Sequence, residues 1–287
     1  MKKSLILLAV ILLAALLFIM TYTPSLSEKH GQLATKLFVG DSTNQPLVVA
    51  FGGGGGGNDW ARDYMKEKRA ELLKRGYAVL AIGYFNAGAN TPPYLDRISL
   101  NAIADTILTI ASKNKNIDEN KIALIGGSKG GELVLNLGSR YKAFNAVIAM
   151  STADISFPAI TLTSNTSSWM YDGLEVTYVP APLKIIFPAI KGDLFTAFNM
   201  MLENEPAVEK AVIAVENING PILILSAKED EQWPAALMSN RLIERLKEKD
   251  FKHRYEHLLL DGGHTAPLSH FDKVYDFLAE TYPVAKR

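Results

Sequence analysis

The sequence predicts an α/β fold in which a mostly parallel central sheet is covered by helices on both faces. Three observations predict it. Short runs rich in Val, Ile, Leu and Ala recur without polar alternation, as strands buried on both faces do. Stretches with apolar residues at helical spacing separate these runs. Glycine or turn residues close several of the runs at their C-terminal ends, where open α/β sheets hold their chemistry.

Taken in order, an edge strand is expected around Lys36–Val39, and Pro46–Phe51 is the first buried run. Six glycines follow, Gly52 to Gly57. Asn58 to Arg75 reads as helix, with Asn58 or Asp59 as its cap and Gly76 as its stop. Tyr77–Ile82 is the next strand, and Leu100, Ile103, Ile107 and Ala111 mark an amphipathic helix. Ile122–Ile125 is a strand, and Glu132–Leu137 is helix-forming. Ala146–Met150, Ile222–Ser226 and Tyr255–Leu260 complete the strands. Leu237, Arg241, Leu242 and Leu246 mark one late helix, and Phe271, Val274, Tyr275 and Leu278 the last. The block 151–219 breaks the alternation, with scattered prolines and the exposed-looking apolar residues Trp169, Tyr171, Phe187, Phe195 and Phe198. A structureless loop of that length is uncommon in a compact domain, so an inserted cap is expected there.

Thirty basic residues balance thirty acidic ones, so charge does not single out nucleic acid as a partner. No cysteine is present, which excludes disulfides, thiolate metal sites and a cysteine nucleophile. The start, Met1-Lys2-Lys3 followed by the apolar run Ser4–Met20, has the pattern of a signal peptide or membrane anchor. Its length lies near the lower limit of the roughly 17–25 residues a spanning helix needs, and Ser25 and Ser27 offer a cleavage position. The expected organisation is signal peptide or anchor over 1–27, linker over 28–45, and one domain over 46–287 with the cap at about 151–219. The basic start places that domain outside the cytoplasm, either exported (periplasmic or extracellular) or membrane-anchored.

The chemistry centres on Lys121–Glu132, K-I-A-L-I-G-G-S-K-G-G-E. Strand gives way to helix at Ser128, with Gly126 and Gly130 at the glycine positions of G-x-S-x-G. Such a turn holds the serine oxygen clear of the backbone, with the Lys129 N–H and the helix N-terminus aimed at a developing oxyanion. The turn lacks the G-x-G-x-x-G and G-K-[ST] patterns of phosphate-binding loops. A serine nucleophile needs a base, and His264 in D-G-G-H-T-A-P follows the last strand. His30, His253, His257 and His270 lie in the linker, beside the last strand or next to the final helix. The orienting acid is expected in Lys228-Glu229-Asp230-Glu231, the other two acids being solvated. Asp230 is preferred because its shorter side chain has less freedom to lose; Glu229 is second and Asp261 third. The second oxyanion donor is expected from the glycine run, at Gly53 or Gly54. This chemistry calls for no cofactor and no metal.

The stretches F-G-G-G-G-G-G (51–57), R-G-Y-A-V-L-A-I-G-Y-F (75–85), G-G-S-K-G-G-E (126–132) and E-D-E-Q-W (229–233) resemble the C-terminal catalytic domain of acyl-CoA thioesterases and bile acid-CoA:amino acid N-acyltransferases. Lys129, Glu132 and Trp233 are the more specific marks. The resemblance covers roughly Leu47 to the C-terminus and implies an α/β-hydrolase fold with Ser128, Asp230 and His264 as the triad. It also supports Asp230 over Glu229. Eukaryotic members carry a β-sandwich domain before the catalytic one, for which this chain leaves no room. The transferases use a cysteine nucleophile, so serine here points to hydrolysis of a small acyl ester or thioester. Export would favour an ester, and cytosolic retention a CoA thioester. The rival readings are a prolyl oligopeptidase-type peptidase, whose G-x-S-x-G-G pattern is similar, and a membrane-tethered binding protein that keeps the fold without turnover.

Overall fold

The computed structural model describes residues 2–284; Met1 of the basic start and positions 285–287 of the expected domain lie outside them. Helix α1 (Lys2–Thr21) is a single element of 20 residues, and its side chains Ile6, Leu7, Ile11 and Leu13 are exposed. Among the described residues, which leave out several side chains of this helix, no helix is long and apolar enough to cross a membrane. The end of α1 is fastened to the body. Asn165 Nδ2 donates to the carbonyls of Ile19 (2.7 Å) and Tyr22 (3.0 Å), and Arg97 Nη2 donates to that of Pro24 (2.6 Å).

Then come β1 (Ala34–Phe38), β2 (Gln45–Phe51), α2 (Lys66–Lys74), β3 (Ala78–Gly83), the short β4 (Ile98–Ser99) and α3 (Leu100–Lys113). Next are β5 (Ile117–Gly127), α4 (Lys129–Gly138) and β6 (Phe144–Met150). The inserted block carries β7 (Trp169–Tyr171), β8 (Leu174–Glu175), α5 (Ile186–Ile190), α6 (Leu194–Leu202) and α7 (Glu205–Ala211). The chain closes with β9 (Ile222–Ala227), α8 (Ala235–Glu248), β10 (Tyr255–Leu260), α9 (Ala266–Ser269) and α10 (Asp272–Thr281).

Seven strands form one sheet in the order β1-β3-β2-β5-β6-β9-β10. All pairings are parallel except β1 with β3, so the expected linker contributes an antiparallel edge. Alternation along β2 explains why its whole run is apolar. Leu47, Val49 and Phe51 face one core with α3 and α4, while Val48 and Ala50 face the other with Leu72 of α2 and Leu278 of α10. From β2 the chain moves outward to β3, then crosses to β5 and continues the other way. The carboxyl ends of β2 and β5 therefore flank the topological switch point, where such sheets bind ligands.

Three expectations need correction. The stretch 58–75 is not one helix: two 3₁₀ turns (Asp59–Ala61 and Asp63–Met65) precede α2. Asn58 caps nothing: its Oδ1, the atom a cap would use, accepts no hydrogen bond, while its Nδ2 donates to the carbonyls of Ala34 and Ala81, both 3.1 Å away, and so ties β1 to β3. In α8 the buried stripe is Met238, Leu242 and Leu246, with Leu237 exposed. In the inserted block Trp169 is fully buried, whereas Phe187 stays exposed. Part of that block makes its own core, where Ile155, Phe157, Val179 and Met201 pack on Trp233 and on Met238 of α8.

Candidate active site

At the end of β5 the backbone turns sharply. Ser128 has φ 56° and ψ −124°, a region that costs a non-glycine residue about 1–3 kcal/mol. The strain persists because both sides of the turn are over-determined. Ser128 N–H donates to Met150 O at 2.8 Å, and Ser128 O accepts from Gly131 N–H at 2.8 Å. A Cβ on Gly126 would lie 2.1 Å from Gly130 O, and one on Gly130 would lie 2.4 Å from Gly52 O. These contacts are backbone, so no side-chain rotation could relieve them. The spacing of glycines around Ser128 is thus a steric requirement of strand and helix meeting there.

On the other side of the switch point, the loop after β9 meets the loop after β10. His264 Nδ1 lies 2.9 Å from Asp230 Oδ1 and 2.8 Å from Oδ2. Asp230 is buried and its Oδ1 also accepts from the Gln232 (2.9 Å) and Trp233 (3.2 Å) N–H groups, which pins the carboxylate. Glu229 and Glu231 are exposed, as expected of solvated acids, and each is also a clamp. Glu229 accepts from Gly262 N–H at 2.7 Å and Glu231 from His264 N–H at 2.9 Å. The bond from the His264 N–H is the first of several that hold the exposed Glu231 carboxyl below its usual range. Asp261 pairs with Lys228 at the surface, 2.6 Å away, and so does not serve the imidazole. His257 is held between strands, its Nε2 2.7 Å from Ser226 Oγ, and burial lowers its pKa.

The two sides meet across a cavity of about 160 Å³. Ser128, Gly53 and Gly52 line one wall, His264 and Ser151 another, and Trp60, Met65, Met150 and Leu268 supply apolar surface. Gly53 abuts Ser128: a Cβ built on it would lie 3.1 Å from Ser128 Cβ and 3.7 Å from Oγ. Gly54 lies farther along, against Ile160 and the Lys129 side chain. That side chain is buried, with Nζ 2.6 Å from Glu132 Oε2. Burial pushes the Glu132 carboxyl up and the Lys129 ammonium down, and each charge works against the other's shift. Among the described residues, no group of three or more His, Cys, Asp or Glu side chains is placed to hold a metal ion.

Two positions escaped sequence reasoning. Ser151, at φ 42°, follows β6; its hydroxyl donates to His264 O at 2.7 Å and its carbonyl accepts from Trp233 Nε1 at 2.9 Å. Tyr84 donates from its hydroxyl to Gly52 O at 2.8 Å, bracing the glycine loop from behind. Position after a strand end was the available signal for Ser151. Tyr84 had none, because a buried tyrosine after a strand reads as core.

A family model described as BAAT / Acyl-CoA thioester hydrolase C terminal matches residues 105–272, and one described as BD-FAE matches residues 38–161. Acyl-coenzyme A thioesterase 5 of Mus musculus is 25% identical over 258 residues, covering 85% of this chain and 57% of its own length. Acyl-coenzyme A thioesterase 1 of Homo sapiens is 26% identical over 206 residues, covering 70% of this chain and 44% of its own. The chain thus spans about half the length of the curated relatives it matches. Among solved structures, a puromycin-hydrolyzing peptidase of Mycobacterium tuberculosis superposes with TM-score 0.59 at 16% identity, over 89% of this chain and 38% of that one. An acetyl xylan esterase from Paenibacillus sp. R4 superposes with TM-score 0.56 at 15% identity, over 87% and 79%. At such identities these structures speak for the fold alone, which is that of the α/β hydrolases. With more than half of its residues inside the first family model, the chain belongs to the BAAT / acyl-CoA thioester hydrolase C-terminal family.

Proposed function

We propose that this hydrolase cleaves a small acyl thioester or carboxylic ester through an acyl-enzyme on Ser128. The observation that carries the proposal is that Ser128, on its strained turn, shares one cavity with a histidine whose Nδ1 is held by a buried carboxylate. His264 Nε2 takes the Ser128 proton as Oγ attacks the acyl carbon, then returns it to the departing thiolate or alkoxide. A water deprotonated by the same nitrogen releases the acid and restores the serine. Asp230 fixes the imidazole tautomer and stabilises the imidazolium. The N–H groups of Lys129 and Gly53 stabilise the oxyanion, Gly53 being favoured over Gly54 by its contact with Ser128. A thioester is the first choice of substrate, because the curated relatives are acyl-CoA thioesterases. The start of the chain is read separately: α1 is an export signal or an anchor that puts the site outside the cytoplasm, an outcome that would move the preferred substrate from a thioester to an ester, and N-terminal sequencing of the fractionated protein tests it.

Ser128→Ala is expected to abolish labelling by a fluorophosphonate probe and to lower kcat on p-nitrophenyl butyrate by about 10⁶-fold, the scale for loss of a triad nucleophile. Wild-type labelling of that variant would refute the serine mechanism. A panel of acyl-CoA, acyl-pantetheine and p-nitrophenyl esters then ranks the leaving groups.

A further inference from the structure

The motif G-G-S-K-G-G-E contains two charged side chains that the acyl-enzyme mechanism does not use. Both are buried in the first turn of α4. Burying an ion pair costs the desolvation of both ions unless their remaining bonds are also made. For Glu132 they are made, and with distant partners. Glu132 Oε2 is 2.6 Å from Lys129 Nζ, while Oε1 accepts from Trp169 Nε1 at 2.6 Å and from Phe157 N–H at 3.1 Å. Trp169 and Phe157 both belong to the inserted block. The Trp169 ring lies 5.4 Å from Lys129 Nζ and 5.9 Å from the ring of Tyr84. Tyr84 in turn donates to Gly52 O.

The connections run from one half of the oxyanion hole to the other. The Lys129 N–H lies on the turn that Glu132 anchors from within, and Gly53 lies on the loop that Tyr84 supports. The two halves also touch, since Gly130 packs directly on the Gly52 carbonyl and the Lys129 side chain lies under Gly54. This hub spans the nucleophile helix, the inserted block and, through Trp169 and Tyr84, the glycine loop. We propose that Glu132 is a positioning residue that holds the two oxyanion donors at a fixed separation, using Trp169 of the inserted block as its second support. This rests on Ser128 being the nucleophile. It assigns the inserted block a share in transition-state stabilisation, apart from any contact with the acyl group.

Donor placement matters only when charge develops on the substrate oxygen, so the effect falls on kcat and not on KM. Glu132→Gln keeps an oxygen for Trp169 and Phe157 but turns an amide towards Lys129. Trp169→Phe keeps an aromatic ring, though a smaller one, and removes the donor. Each is expected to lower kcat for p-nitrophenyl butyrate by about 10- to 100-fold, as an error of about 1 Å in placement does. KM should stay within about twofold, and the pH of half-maximal kcat should not move, because His264 is untouched. If Glu132→Gln does not fold, Lys129→Met/Glu132→Gln, which leaves no lone buried charge, is measured in its place with the same expectation. Folded variants with wild-type kcat, a loss carried by KM alone, or a displaced pH profile would each overturn the inference. Wild-type labelling of Ser128→Ala would instead remove the underlying mechanism, so the two failures are distinguishable.

Discussion

The serine turn and the histidine loop face each other across one cavity, yet they are held by different means. Ser128 is fixed by its own neighbourhood: Gly126 and Gly130 admit a backbone approach that any Cβ would block, and the strained serine follows from it. His264 is fixed from outside. Glu231 grips its amide, Ser151 its carbonyl and Asp230 its ring, and Trp233 holds Ser151 in turn. One half of the site is therefore built by close backbone packing around the turn and the other by side-chain hydrogen bonds between strand ends. The first resists everything short of a steric change; the second can be loosened one bond at a time.

Three experiments break or sharpen that contrast. The largest effect is expected for Asp230→Asn. Its Oδ1 can still accept from Gln232 and Trp233, so the loop should remain folded while the imidazole loses its anionic partner. A fall in kcat of about 10⁴-fold with little change in Tm is expected, and kinetics beside calorimetry check it. Gly130→Ala comes next and attacks the opposite side. A methyl 2.4 Å from Gly52 O forces the glycine loop and α4 apart, at a cost of about 3 kcal/mol of stability. Denaturant melts should show it, together with slower fluorophosphonate labelling; an unchanged midpoint would mean that the turn is more compliant than its contacts indicate. The smallest effect concerns acid. Hydrogen bonding holds Glu231 below its usual range, so its contribution is present above the unfolded pKa of about 4.3 and is lost as pH falls through its lower folded value. Lowering the pH below about 4 should release the His264 amide to solvent exchange before the Ser128 amide, whose bond to Met150 O involves no titratable group. Amide exchange by NMR between neutral pH and that range compares the two, and simultaneous release would erase the distinction.

The same division explains which parts of the site were legible. The turn at Ser128 was readable because glycine spacing is a direct record of steric need, whereas the glycine run left Gly53 and Gly54 open. Asp230 and His264 were readable from chain order, a looser rule that left Glu229 and Asp261 open as rivals. The distances close that choice: Asp230 reaches the ring, Glu229 reaches Gly262, and Asp261 reaches Lys228. The apparent helix 58–75 failed because composition cannot see that Asn58 is needed by Ala34 and Ala81 on two neighbouring strands. The inserted block was marked only by its broken alternation, and its role as a support for Glu132 depends on a tryptophan 37 positions away.

By itself, then, the amino-acid order determined the alternation of strands and helices, the serine turn and the residue types that flank the cavity. These rest on periodicity, on glycine spacing and on strand ends, all of which are written within a few residues of the chain even where the contact they serve is distant, as that of Gly130 with Gly52 is. Tertiary structure alone decided which carboxylates clamp the histidine loop and where Glu132 finds its second partner. Those choices depend on hydrogen bonds between residues far apart in sequence, and such bonds leave no period along the chain.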